Sequence, residues 1–241
     1  MPPSFPPTMI DLHCHILPGV DDGPRTLAES LAMARLAAAD GVTAIAATPH
    51  LPPGAFAEHA WIGEGVAALN AALQAEQIPL TIFPGAEIMA VPEVLEHKDR
   101  LPHLGAGPYL LLEVPLVGLP NYLEELVFAL QLAGLRPVLA HPERSHLARH
   151  DLPLILRLAE RGCILQINAD SLLGRNGRAI RGLATRLVRE VPACILASDA
   201  HDAIYRPPTL ARARRAFRGP QAETRFREVV SDRPEKILGV S

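Results

Sequence analysis

Short apolar runs rich in aliphatic and β-branched residues recur along the whole chain. They are "MIDLH" at 9–13, "TAIAAT" at 43–48, "LTIFPGAEI" at 80–88, "YLLLEV" at 109–114, "RPVLA" at 136–140, "CILQIN" at 163–168 and "ACILAS" at 193–198. Their length and composition predict seven strands. The stretches between them carry helical periodicity, as in "TLAESLAMARLAAADG", which opens with Thr26 as an N-cap, has Glu29 three residues on and closes on Gly41. Strand and helix alternate without an internal break. That pattern implies a parallel sheet covered by helices, and seven such units favour a closed, TIM-like (β/α)7 barrel over an open doubly wound sheet. After Pro207 the sequence reads as one or two further helices ending in "DRPEKILG".

The opening "MPPSFPPT", residues 1–8, is Pro-rich and reads as a flexible N-terminus. Residues 9–241 contain no linker, repeat or low-complexity segment and read as a single domain. At 241 residues, 49% of them hydrophobic, the chain is long enough to bury a full core. A net charge of −3, with Lys and Arg scattered rather than massed, argues against a nucleic-acid partner. No apolar run approaches the roughly 20 residues of a membrane span, and the start lacks the basic and apolar regions of a secretory signal. A cytoplasmic protein with no membrane span is expected. Cys14, Cys163 and Cys194 are odd in number and widely spaced, which reads as buried thiols rather than disulfides or a thiolate metal site.

Polar residues of one chemical type collect where the strands end. "DLHCH" ends the first strand, "ATPH" the second, "GAE" the third, "LLEV" the fourth, "LAHPER" the fifth and "ASDAH" the seventh. In an α/β barrel all C-terminal strand ends open on one face, so residues more than a hundred positions apart converge there. Alternation within a strand puts His13 and His15 on one side and Cys14 on the other, and likewise pairs Asp199 with His201. The same rule places Asp11 on the face of the two histidines, where a carboxylate would orient an imidazole from behind. Jointly these ends read as a metal site. Histidine mixed with carboxylate and free of thiolate suits Mn, Fe, Zn or Co, and more than five ligands imply more than one ion. Clusters of this kind are a recurrent solution to phosphoester hydrolysis. His59, His97, His103, His146 and His150 fall in helical or loop contexts and read as solvated.

The blocks "DLHCHILPGVDDGP", "TPH", "GAEI", "HPER" and "SDAHDAIYRPP" resemble, in order, the motif set of the polymerase and histidinol phosphatase (PHP) superfamily. The nearest branch is the bacterial manganese-dependent protein-tyrosine phosphatases of capsular and extracellular polysaccharide loci, the CpsB/YwqE type. The likeness runs from about residue 9 to about residue 238. It implies a distorted (β/α)7 barrel with three divalent ions, manganese foremost. By that resemblance His13, His15, Glu87 and Asp199 hold the first ion, and Glu87 bridges to a second held also by Glu113 and His141. Asp22, His50 and His201 hold the third, and Arg144 and Arg206 match the phosphate-binding arginines. The choice of Asp22 over Asp21 rests on the resemblance alone.

Three divalent ions against four carboxylates leave about +2, a complement to a phosphate dianion. The expected reaction is attack by a metal-activated hydroxide, without a phosphoenzyme. The expected partner is a phosphotyrosine protein, the Tyr-rich tail of a polysaccharide-export tyrosine kinase. A rival is a small-molecule phosphatase, such as a histidinol phosphatase, on the same centre. An amidohydrolase is a weaker rival, because the only lysines, Lys98 and Lys236, lie outside the strands. A non-catalytic metal-binding module would be expected to lack ligands or arginines, and none is missing. No heptad or broad apolar face signals an oligomeric state.

Overall fold

The computed structural model describes residues 8–239, so nearly all of the expected flexible N-terminus, residues 1–7, lies outside the described residues. The strand segments are β1 (Met9–Cys14), β2 (Val42–Ala47), β3 (His50–Leu51), β4 (Thr81–Pro84), β5 (Glu87–Met89), β6 (Tyr109–Glu113), β7 (Arg136–Ala140), β8 (Ile164–Asn168) and β9 (Cys194–Ala197). Every pairing is parallel, in the orders β1-β2-β4 and β3-β5-β6-β7-β8-β9.

Nine segments make seven strands. β2 and β3 are halves of one strand interrupted at Thr48 and Pro49, where proline has no N–H to give the ladder. β4 and β5 are halves of the next, interrupted at Gly85 and Ala86, and the Glu87 N–H still reaches the Pro49 carbonyl across the break at 3.0 Å. The ring closes between β9 and β1. There His15 N–H donates to the Ala200 carbonyl at 2.9 Å and Asp199 N–H to the His13 carbonyl at 2.8 Å. The fold is thus the distorted (β/α)7 barrel that the alternation of elements predicts.

The helix predicted at Thr26 spans Leu27–Asp40, with Thr26 Oγ1 accepting from Glu29 N–H and Gly41 left-handed at φ +94. The tail is more broken than two helices: a 3-10 turn at Ala211–Ala216, a helix at Ala222–Arg227, a π turn at Glu228–Asp232 and a helix at Arg233–Leu238.

Apolar residues pack in two sets. Cys14, Ile45, Ala47, Leu112, Leu139 and Leu165 face the covering helices. Ile10, Leu12, Ala44, Leu111, Val138 and Ile195 fill the barrel interior, joined by Ile237 and Leu238 of the last helix. That helix plugs the mouth at which the strands begin, leaving the opposite mouth for polar side chains.

β1 does not alternate strictly. Asp11 pairs with Ile45 and Cys14 with Ala47, so three steps on β1 oppose two on β2, the count of a β-bulge. The phase flips across the bulge. Leu12 faces the interior below the histidines, while Asp11 shares the outer side with Cys14. This corrects the expectation that Asp11 orients an imidazole. Its carboxylate accepts from His13 backbone N–H at 3.3 Å and from Ser198 N–H and Oγ–H at 3.0 and 2.5 Å, stitching the β1–β9 seam. Burial pushes the Asp11 carboxyl up to about 6, against the pull of those hydrogen bonds.

The plug fixes one glycine. Gly105 has φ +67, and a Cβ there collides with the Leu238 backbone. Gly105→Ala is expected to cost about 2 kcal/mol or more through strain and displacement of the last helix, measured as a lowered midpoint in chemical unfolding; an unchanged midpoint would show that the plug is loosely held.

Candidate metal centre

All nine side chains expected to hold metal stand at the open mouth, each delivered by a strand end or the turn after it. β1 brings His13, and the turn beyond it brings His15 and Asp22. β3 starts with His50, β5 starts with Glu87 and β6 ends with Glu113. His141 follows β7, and Asp199 and His201 follow β9. His141 and Asp199 have positive φ, +29 and +54, unusual for residues with a side chain. Both sit where the chain must turn sharply out of a strand while its side chain points inward, and strain of this kind gathers at functional sites.

The tightest part is built from His13, His15, Glu87 and Asp199, all buried. His13 Nε2, His15 Nε2 and Glu87 Oε2 are mutually 3.3 Å apart. Asp199 Oδ1 lies 3.5 and 3.6 Å from the two nitrogens. Donors about 2.1 Å from one ion in a tetrahedron stand about 3.4 Å from each other, so these separations match the edges of a single coordination sphere. Glu87 Oε2 is buried and has no hydrogen-bond partner among the described residues. A buried carboxylate oxygen without a donor is costly unless a cation meets it, and three imidazole nitrogens, including His50 Nδ1 at 3.1 Å, surround this one. The donor set fits a divalent ion.

Hydrogen bonds behind the rings set which nitrogens are free. The His141 backbone N–H, which can only donate, reaches Gln166 Oε1 at 3.1 Å. The same oxygen therefore accepts from His13 Nδ1–H at 2.8 Å, and His13 Nε2 is left to face the cluster. Asp21 Oδ2 accepts from His15 Nδ1–H at 2.7 Å and from His50 N–H at 3.1 Å, with the same effect on His15. His201 Nδ1–H donates to the Asp199 carbonyl at 3.0 Å, turning Nε2 toward Asp22 Oδ1 at 3.2 Å. Gln166 continues the chain through Asn168, whose Nδ2 donates to Asp199 Oδ2 at 2.8 Å.

The outer groups overlap. His50 faces Asp22 Oδ1 with Nε2, at 3.4 Å, and Glu87 and Glu113 with Nδ1, at 3.1 and 3.8 Å. His15 clusters with Asp22, His50 and His201 as well as with His13 and Glu87, and His141 with His13 and Asp199. The His141 Nε2 to Glu87 Oε1 distance is 2.8 Å. Arg144 Nη1 and Arg206 Nη2 both reach Asp199 Oδ2, at 2.5 and 2.7 Å. The arginines therefore border the centre as expected.

Charge in this cluster is strongly coupled. Burial alone would lower His13, but the charges of Glu87 and Asp199 outweigh it and push the imidazole up to about 10. Burial would likewise raise Glu87 and Asp199, yet the His13 charge, with histidine hydrogen bonds at Glu87 and Arg206 at Asp199, holds both well below the carboxylate range. His201 goes the other way, down to about 4, through burial and then the like charge of His15 and Arg206. The carboxylates demand positive charge that protons alone supply unevenly.

Sequence reasoning missed the orienting layer: Gln166, Asn168 and Asp21. The two amides were visible as polar positions i and i+2 in the otherwise apolar "ILQIN", and Asp21 as the neighbour of Asp22. The cysteines are buried thiols as read, with Cys163 and Cys194 pushed up to about 12 and 11 by burial. Gln166→Leu is expected to weaken metal binding about 10- to 100-fold, read by titration of the metal-free protein; an unchanged affinity would mean that Gln166 does not position His13.

Comparison with known proteins gives the family of the chain. Residues 9–239 match the family described as capsular polysaccharide synthesis, CpsB/CapC. The tyrosine-protein phosphatase YwqE of Bacillus subtilis is 42% identical over 197 residues, 80% of this chain and 78% of that protein. The putative tyrosine-protein phosphatase CapC of Staphylococcus aureus is 34% identical over 83% of this chain and 79% of that one. A crystal structure from work on YwqE of Bacillus subtilis and CpsB of Streptococcus pneumoniae, described as unique metal-dependent tyrosine phosphatases, superposes with a TM-score of 0.85 at 36% identity. It covers 96% of this chain and 94% of that one. The phosphotriesterase homology protein of Escherichia coli shares the fold alone, at 12% identity and a TM-score of 0.62 over 97% of this chain and all of that one. The chain belongs to the CpsB/CapC family of capsular polysaccharide synthesis.

Proposed function

We propose that this protein is a metal-dependent protein-tyrosine phosphatase that acts in the cytoplasm on the Tyr-rich tail of a polysaccharide-export tyrosine kinase. The observation that carries the reading is the set of 3.3–3.6 Å separations among His13, His15, Glu87 and Asp199, next to two arginines on the same carboxylate. Residues 9–241 act as one phosphatase domain.

Three divalent ions, manganese in the first instance, are assigned as the family resemblance implies. His13, His15, Glu87 and Asp199 hold the first, Glu87, Glu113 and His141 the second, and Asp22, His50 and His201 the third. The overlapping outer groups support a shared cluster in which His50 and Glu87 stand between neighbouring positions. When bound, such ions supply Lewis acidity at the phosphoryl oxygens and an activated water as nucleophile. Gln166, Asp21 and the Asp199 carbonyl hold the imidazoles in ligating orientation. Arg144 and Arg206, anchored on Asp199, present their remaining N–H groups to phosphate, where planar, charge-assisted contacts stabilise the charge that builds in transfer.

An open mouth suits a protein substrate. Asp22 and His50 are partly exposed. Exposed apolar residues, Val117, Leu119, Ile204 and Tyr205, lie on the loops that leave the ends of β6 and β9. Among the described residues no helix is long and apolar enough to cross a membrane.

Metal removal is expected to abolish phosphate release from a phosphotyrosine peptide and added Mn²⁺ to restore it, with histidinol phosphate a poor substrate in parallel assays. Preference for histidinol phosphate would overturn the substrate and keep the centre, and no turnover of either would overturn catalysis. Arg206→Ala is expected to cut turnover at least about 10-fold at unchanged metal content, whereas His15→Ala is expected to lower metal stoichiometry itself. Replacing all three cysteines by alanine is expected to leave metal-dependent activity intact; its loss in a variant that folds and keeps its metal content would require a thiol in the reaction.

A further inference from the structure

Beside the metal centre lies a second cavity, of about 300 Å³, walled by Arg144 and Arg206 on the near side and by Asp170, Arg175, Asn176 and Tyr205 on the far side. Asp170 lies on the short helix Ala169–Leu173 that follows β8, Arg175 and Asn176 on the turn after it and Tyr205 on the loop after β9, and nothing in the nine-ligand cluster accounts for them. Arg175 is held there by Asp170, with Nη1 3.4 and 3.3 Å from the two carboxylate oxygens. Asn176 Nδ2 donates to Ser171 Oγ at 3.1 Å, which fixes the amide at the same turn. Both Asp170 and Arg175 are part-exposed, and a pair at that exposure adds little to stability. What it does achieve is to keep a third guanidinium in place on a cavity that already has two.

The charge balance favours an anion. Arg144, Arg175 and Arg206 border the cavity against two carboxylates, Asp170 and the Asp199 of the metal centre, so the arginines stay in excess by one. Asp170 supports this from the other side. It engages Arg175 through Nη1 alone, so Nε and Nη2 of the guanidinium keep donors to spare. Tyr205 is exposed at the lining of this cavity, held by a turn in which Asp202 Oδ1 accepts from Ile204 N–H and Tyr205 N–H.

We propose that this cavity is a second anion subsite, in which Arg175 and Asn176 take a negatively charged group on the same polypeptide as the phosphotyrosine being cleaved. The inference rests on the phosphatase reading. The bound group is a carboxylate or a second phosphate ester near the target tyrosine, and the subsite selects segments in which anionic residues cluster. Arg175 acts on substrate choice and does not touch the reacting phosphoryl group.

The test compares kcat/KM, with Mn²⁺ restored, for three phosphotyrosine peptides of equal length: one flanked by alanines, one by glutamates and one by a second phosphotyrosine. The expected result is a preference of about tenfold for one or both anionic peptides over the alanine peptide, carried by KM. It is lost in Arg175→Ala, partly kept in Arg175→Lys and increased in Asp170→Asn, which frees the guanidinium. Opposite effects of Arg175→Ala and Asp170→Asn would not arise from a merely structural ion pair. The anionic peptide that carries the preference identifies the source of the charge. Equal kcat/KM for all three peptides in the wild type, or a preference unchanged in Arg175→Ala, overturns the subsite while the phosphatase stands. Absence of Mn²⁺-dependent release from every peptide overturns the phosphatase and the subsite with it.

Discussion

Glu87 sets the terms for the rest of this molecule. One of its carboxylate oxygens is buried without a hydrogen-bond donor and faces nitrogens from His13, His15 and His50 at 3.1–3.3 Å. Such an arrangement is unstable as a set of neutral lone pairs and becomes favourable once a cation stands among them. Strand pairing fixes it: Glu87 opens β5 directly beside His50 of β3 on one flank and Leu111 of β6 on the other. The interruption at Gly85 and Ala86 lets Glu87 begin a new strand segment at the mouth of the barrel.

Around that carboxylate the chain builds outward in layers. Gln166, Asp21 and the Asp199 carbonyl select the ring nitrogens that face inward. Asn168 and the two arginines then bind Asp199 Oδ2, leaving Oδ1 toward the histidines. The buried Glu143 accepts from Asn168 N–H at 3.0 Å and so joins the turn after β7 to the end of β8. These groups are held by others further out until the chain reaches solvent at Asp22 and the arginines, while Glu87 Oε2, His141 Nδ1 and Glu143 Oε2 have no hydrogen-bond partner among the described residues. A centre prepared in this way needs little rearrangement to bind ions, and its precision derives from the closed ring of strands that carries it.

Seam and plug serve the same end. The last turns of β1 and the chain after β9 are hydrogen-bonded to each other, which puts His13 and His15 against Asp199 and His201 although nearly the whole sequence separates them. At the opposite mouth, Ile237 and Leu238 occupy the space that the strands leave, so the interior is apolar below and polar above.

The sequence by itself determined the parallel architecture, the number of strands and eight of the nine converging side chains, because period and strand-end position are local properties that survive without coordinates; Asp22 rather than Asp21 came from the family resemblance. "DLHCH", "GAE" and "ASDAH" show their chemistry wherever the chain goes. The tertiary structure alone decided which way Asp11 points. Strict alternation put it behind the histidines, and a bulge that depends on the partner strand moved it to the outer face and the seam. It also decided that Gln166 and Asn168, on a strand with no ligand of its own, orient groups from β1 and β9, and that Arg175 shares a cavity with Arg144 and Arg206. Those relations arise from register between distant strands and from the closing of the ring, and no periodicity within one segment encodes them.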